Sequence, residues 1–168
     1  MPPKQESKSE HKPYRPNVGI IVFNQQGEVL AGERTNVLGG WQFPQGGIDA
    51  EEDPKAAAFR ELYEEVGIAN PELVKELEEW LYYDFPDSLK LSKGMKAYKG
   101  QMQKWFLVYW NHPATECNLD IHEREFTEVK FMAFSECVDS VVEFKKDVYK
   151  QLLTILSPAI ASYLQNLS

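Results

Sequence analysis

Residues 46–68 read GGIDAEEDPKAAAFRELYEEVGI, and the rest of the chain is understood outward from this stretch. Carboxylates stand at Glu61, Glu64 and Glu65. On a helix, residues three and four apart share a face, so all three crowd together and repel. Taken alone, Glu-x-x-Glu-Glu reads as a solvated acidic face. A cation between the side chains would reverse the cost, and hard divalent ions such as Mg²⁺ favour carboxylate oxygens shared with substrate phosphates.

The flanks argue against a plain surface helix. Asp53-Pro54 is an N-cap followed by proline at the first helical position. Ala56, Phe59, Leu62, Tyr63 and Val66 recur at helical spacing, and Gly67 ends the run. Ahead lies Trp41-Gln42-Phe43-Pro44-Gln45-Gly46-Gly47, a short strand entering a glycine turn that lets backbone approach a ligand closely. The predicted unit is strand, glycine loop, helix.

The pattern resembles the Nudix box: Gly46, Glu52, Arg60, Glu61, Leu62, Glu64, Glu65, Gly67 and Ile68 occupy each of its fixed positions. The resemblance implies an α/β Nudix fold, a mixed β-sheet sandwiched between α-helices. It also implies Mg²⁺-dependent hydrolysis, with Mn²⁺ as a substitute, of a nucleoside diphosphate linked to another moiety. The helical carboxylates would hold the metal with a backbone carbonyl from Gln45 or Gly46. Glu52 and Arg60 would form an ion pair bracing the glycine loop.

Composition bounds the alternatives. The chain has 168 residues, 43% of them hydrophobic, which suits one domain with a real core. Its net charge of −8 argues against broad nucleic-acid binding. Two cysteines, Cys117 and Cys137, and no leader pattern lead to the expectation of a reduced, cytoplasmic protein. No apolar run is long enough for a bilayer, and a monomer is expected. Residues 1–12 are expected to form a disordered polar tail and residues 13–168 a single domain.

Along the chain, VGIIVF from Val18 and EVLAGER from Glu28 read as a hairpin around Asn24–Gly27, and TNVLGG (35–40) as a loop. ELVKELEEWLYYDFP is expected to be one long strand ending near Pro86. Residues 87–100 form a lysine-rich exposed loop, KWFLVYW and FTEVKFMAF are strands, and residues from Ser140 onward are helical with a break or kink at Pro158.

Segments outside the box narrow the resemblance. Tyr14–Gly19, Gly100–Phe106 and Val142–Tyr149 are similar to the subgroup that holds RNA pyrophosphohydrolases and plant-type dinucleoside tetraphosphate hydrolases. That resemblance implies a nucleotide or the 5′ end of RNA as substrate. Arg15 and Lys104 would reach the phosphate chain, and Gln103 and Lys145 would contribute to binding. Phe144, ahead of Tyr83, would stack on a base. Trp105, Phe106 and Trp110 read as core. Glu125, in a Glu-Phe pair, would serve as a metal ligand or base, with Glu123 its competitor; Glu61 and Glu125 both remain as the general base. Low overall basicity confines RNA contact to roughly the first one to three nucleotides. Two other readings stand beside the hydrolase: a non-hydrolysing nucleotide-binding module, and a hydrolase of another nucleoside diphosphate derivative.

Overall fold

The structure, a computed structural model, describes residues 11–36 and 39–167. The expected tail therefore lies outside the described residues up to position 10, as do two positions of the 35–40 loop.

The chain forms one eight-stranded mixed sheet with helices on both faces. The strands are β1 (Tyr14–Phe23), β2 (Val29–Arg34), β3 (Trp41–Gln42), β4 (Gln45–Gly47), β5 (Glu72–Glu76), β6 (Leu81–Asp84), β7 (Gly100–Tyr109) and β8 (Phe126–Met132). The helices are α1 (Pro54–Val66), α2 (Phe134–Ser140) and α3 (Lys146–Gln165), with a 3₁₀ turn at Glu143–Lys145 just before α3. The central order is β3-β2-β1-β7-β5; β4 pairs with β1, β6 with β7 and β8 with β2.

The apolar runs in β1 and β7 are continuous because both faces of the sheet are covered. Ile21, Phe23, Trp105 and Leu107 pack on the α2–α3 side. Val18, Ile20, Val22, Phe106 and Val108 pack on the α1 side. β1 and β7 run parallel for ten residues, from Tyr14 opposite Gly100 to Phe23 opposite Tyr109. This register sets Arg15 beside Gln101, Asn17 beside Gln103 and Gly19 beside Trp105. Side chains alternate along a strand, so one face passes from a polar end at Arg15–Gln101 to an apolar end at Ile21–Leu107. The indole of Trp105 lies across Gly19, where a Cβ would be 2.5 Å from ring carbons.

Helix α1 follows its predicted caps. Asp53 accepts a hydrogen bond from Ala56 N, and Gly67 adopts φ 75° and donates to Tyr63 O. The buried stripe is Ala57, Ala58, Leu62 and Val66. Ala56 is exposed and Tyr63 is 46% exposed, so the expected stripe is rotated by about one residue on its leading edge.

Four expectations are corrected. The segment 72–86 is two strands, not one. Both pair antiparallel with β7, but four residues, 77–80, face only the two between the paired Phe106 and Gln103. The surplus bulges outward. The strand expected through Phe134 ends at Met132, residues 134–140 form a helix of their own, α2, packed against α3, and the C-terminal helix starts at Lys146 and not at Ser140. Of the break or kink expected at Pro158, the break does not occur: α3 runs on to Gln165, with Leu152, Leu156 and Ile160 buried on both sides of the proline. Among the described residues, no helix is long and apolar enough to cross a membrane.

Candidate active site

The polar end of the β1–β7 face opens into a cavity of about 540 Å³. Glu61, Glu64 and Glu65 of α1 and Glu125, just before β8, border it, as do Arg15, Arg34 and Lys145, with Phe85 and Phe144.

The glutamate wall is held by Arg60. Its guanidinium grips Glu52 through two hydrogen bonds of 2.9 Å and donates to Gly47 O at 3.0 Å. The same side chain donates from Nη1 to Glu61 Oε1 at 2.9 Å and Glu64 Oε2 at 3.2 Å. Bidentate pairing of this kind sets orientation as well as charge. The Arg60 hydrogen bonds hold the Glu52 carboxyl down at about 2. Loop and helix are thereby clamped together, and one oxygen of Glu61 is fixed.

β4 lies against α1. A Cβ on Gly46 would fall inside the Glu61 carboxylate, and one on Gly47 inside the Arg15 guanidinium. Gln45 N donates to Glu65 Oε2 at 3.3 Å. Burial is the main force raising the Glu65 pKa well above the ordinary carboxylate range, reinforced by the charges of Glu61 and Glu125. Burial also raises Glu61, against the opposing pull of Arg60. The coupling of Glu65 to Glu125 places the two in one electrostatic field although sixty residues part them in sequence.

A chain of amides forms the floor. Arg15 donates to Gln101 Oε1 at 3.1 Å, and Gln101 donates to the Tyr83 hydroxyl at 2.6 Å. Gln103 lies beneath, donating to Asn17 Oδ1 at 2.9 Å and Gln45 Oε1 at 3.1 Å. Tyr83 is 6% exposed, with its ring packed near Phe85 and Phe144, and burial raises its hydroxyl to about 12. Phe144 is half-buried, tilted against Tyr83 with centroids 5.6 Å apart, and borders the cavity.

Lys145 is 3% exposed and donates to Gln42 Oε1 at 3.0 Å. Burial, with the nearby charge of Arg34, lowers its pKa to about 7.

Two selected residues do not line the cavity: Gln103, which is 1% exposed and bonded to Asn17 and Gln45, and Lys104, which the fold sends elsewhere. Alternation along β7 turns it away from the face of Gln101 and Gln103. Its ammonium donates to Glu78 O at 3.0 Å and lies 3.8 Å from Glu76 Oε1, where it satisfies the bulge between β5 and β6. It does not border the cavity. Sequence reasoning missed Arg34, Gln42 and Asn17, all on the cavity wall. Their signal was strand alternation near the glycine loop, which a register alone converts into direction.

The donors facing the cavity from α1 are all carboxylate oxygens, a hard set whose repulsion a divalent cation would relieve. Among the described residues, no three acidic, histidine or cysteine side chains are already gathered closely enough to hold a metal ion. Mg²⁺ keeps several waters and takes only one or two carboxylates with substrate oxygens, so an open wall suits it better than a closed cage.

Comparison with known proteins agrees with this geometry. The NUDIX domain family matches residues 13–152. An RNA pyrophosphohydrolase of Roseobacter denitrificans is 46% identical over 147 residues, covering 84% of this chain and 90% of that protein. Nudix hydrolase 25 of Arabidopsis thaliana is 40% identical, covering 83% of this chain and 84% of that protein. An Ap4A hydrolase structure from C. elegans shares the fold with a TM-score of 0.61 at 22% identity, covering 86% of this chain and 98% of that one. The family match spans the glutamate helix, the amide floor and the buried lysine together, and the chain is a hydrolase of the Nudix family.

Proposed function

We propose that this cavity hydrolyses a phosphoanhydride at the triphosphorylated 5′ end of RNA, releasing pyrophosphate, and also cleaves dinucleoside polyphosphates. The observation that carries the reading is one cavity lined by the carboxylates, by the cations Arg15, Arg34 and Lys145, and by the aromatic ring of Phe144. A phosphate chain with a base attached needs all three. RNA ends rank first because the RNA pyrophosphohydrolase of Roseobacter denitrificans and that of Nitratiruptor sp. are 46% and 44% identical to this chain.

Hydrolases of this family use a divalent metal; here Mg²⁺, with Mn²⁺ as a substitute, would be held by Glu61, Glu64, Glu65 and Glu125 with a carbonyl of Gln45 or Gly46. When bound, it supplies charge neutralisation on the phosphate oxygens and a more acidic water. The protein's own groups do the rest. Glu61 or Glu125 takes the proton of the attacking water. Arg15, Arg34 and Lys145 meet the charge that grows on the departing phosphate, the term that usually matters most. Lys145 is poised near neutrality, and a phosphate beside it draws its proton back on. Phe144 offers its face to a base, which binds any base by stacking.

The test is product identification with Mg²⁺ on triphosphorylated RNA and diadenosine tetraphosphate in parallel. The expected products are pyrophosphate with 5′-monophosphorylated RNA, and ATP with AMP. Two molecules of ADP from the tetraphosphate would overturn asymmetric cleavage. Tight binding without any product would favour the binding-module reading, which the complete set of box glutamates opposes.

A further inference from the structure

The net charge of −8 is unevenly spread. Between Asp87 and Glu116 there is no acidic residue, while Lys90, Lys93, Lys96, Lys99 and Lys104 fall in that interval, the first four at every third position. The first four stand on the segment that joins β6 to β7.

That segment is a folded arm. Its base is closed by Phe85 N donating to Lys99 O at 2.8 Å and Lys99 N donating to Pro13 O at 3.0 Å. Three turns shape it, Leu89 N to Pro86 O at 2.9 Å, Met95 N to Ser92 O at 3.0 Å and Tyr98 N to Met95 O at 3.0 Å. Lys12 braces it from outside, donating to Lys96 O at 2.7 Å, and the Lys99 ammonium sits 4.5 Å from the Tyr14 ring centroid. The arm has two sides. Leu89, Leu91 and Met95 are half-buried and border the cavity beside Phe85. Lys90, Lys93 and Lys96 are exposed, with Lys90 at the cavity mouth.

We infer that this arm is a track for the RNA strand beyond its 5′ end: the end enters the cavity and the following phosphates pass over Lys90, Lys93 and Lys96. The inference rests on the RNA-end reading above. Whole-chain charge predicts contact with about one to three nucleotides; the local distribution extends it along the arm. A dinucleoside polyphosphate has no strand left to lay there, so the arm separates the two substrate classes.

The experiment uses the full chain, wild type and the Lys93→Ala/Lys96→Ala variant. Hydrolysis is measured on triphosphorylated RNAs of two, four and eight nucleotides sharing one 5′ sequence. Binding of the eight-nucleotide RNA is followed by fluorescence anisotropy in chelator across a salt series. In the wild type, kcat/KM rises from the dinucleotide to the octanucleotide, and the variant loses that rise. The wild-type salt slope is steeper than the variant's by about 1.4, since each phosphate neutralised on a single strand contributes ~0.7. Equal length dependence and equal slopes in the two proteins overturn the track. If no RNA is hydrolysed at any length, the reading of the reaction fails, and the salt slopes still decide the track. Melting curves confirm that the variant is folded.

Discussion

Gly46 and Glu61 occupy space that a single methyl group would close: a Cβ on the glycine overlaps the carboxyl group of the glutamate. The same carboxyl is held from the other side by Arg60 at 2.9 Å. Gly46→Ala must therefore push Glu61 off the arginine while the flexible end of the side chain absorbs the shift. Misplacing a catalytic group by an ångström costs on the order of 100-fold in rate. The expected result is a kcat lowered by about that factor with a melting temperature within a few degrees of wild type. Full activity would show that Glu61 tolerates the displacement.

Glu65→Gln keeps the shape and removes a charge. The carboxylate is held buried beside Glu61 and Glu125, so removing its charge relieves repulsion. Turnover with Mg²⁺ should fall by at least about 100-fold, the scale of losing one preorganised charge-stabilising group. Thermal stability without metal should be unchanged or higher. Near-wild-type turnover would exclude Glu65 from the metal site.

Phe144 is half-buried at the cavity side, which separates its two possible roles. Stacking predicts that Phe144→Ala weakens substrate binding by about 1–3 kcal/mol. A core role predicts a stability loss of about 3–5 kcal/mol instead. The expected outcome is a raised KM with a small shift in melting. Normal binding in a strongly destabilised variant would move the base elsewhere.

Lys104→Ala tests the strand alternation. The ammonium bonds to the Glu78 carbonyl outside the cavity, so kcat/KM should change by less than about threefold while stability drops by about 1 kcal/mol from the lost hydrogen bond. A 100-fold loss of kcat/KM without destabilisation would place Lys104 on the phosphates after all.

Lys145 sets a pH dependence with a definite sign. Its folded pKa, about 7, lies below the ordinary value of 10.5. The unfolded chain therefore binds more protons between these values, and stability contributed by this group rises with pH through that window. It is lost as pH falls from above 10 toward 7. Metal-free protein should gain stability between pH 7 and 10 from this term, and Lys145→Met should flatten the gain. An identical pH profile in the variant would mean that the lysine is not held neutral.

Glu61, Glu64 and Glu65, with their caps at Asp53 and Gly67, were legible in the sequence because a helix carries its own ruler: spacing fixes which side chains share a face, and the capping chemistry is local. The apolar runs of β1 and β7 likewise announced strands. What lay beyond the sequence was whatever depends on partners far along the chain. The parallel register of Asn17 with Gln103 decides that Gln101 and Gln103 face the floor and Lys104 does not, and a slip of one residue would exchange them. Arg34 and Lys145 become neighbours of Glu65 only when β2, the turn before α3 and α1 meet at one cavity. Pro158 shows the reverse case, where local chemistry forecasts a break or kink and burial of Leu156 and Ile160 carries the helix on past the proline. Local spacing determined the box and the family it resembles; the direction of each side chain outside the box was decided by long-range pairing and burial, which no short window of sequence contains.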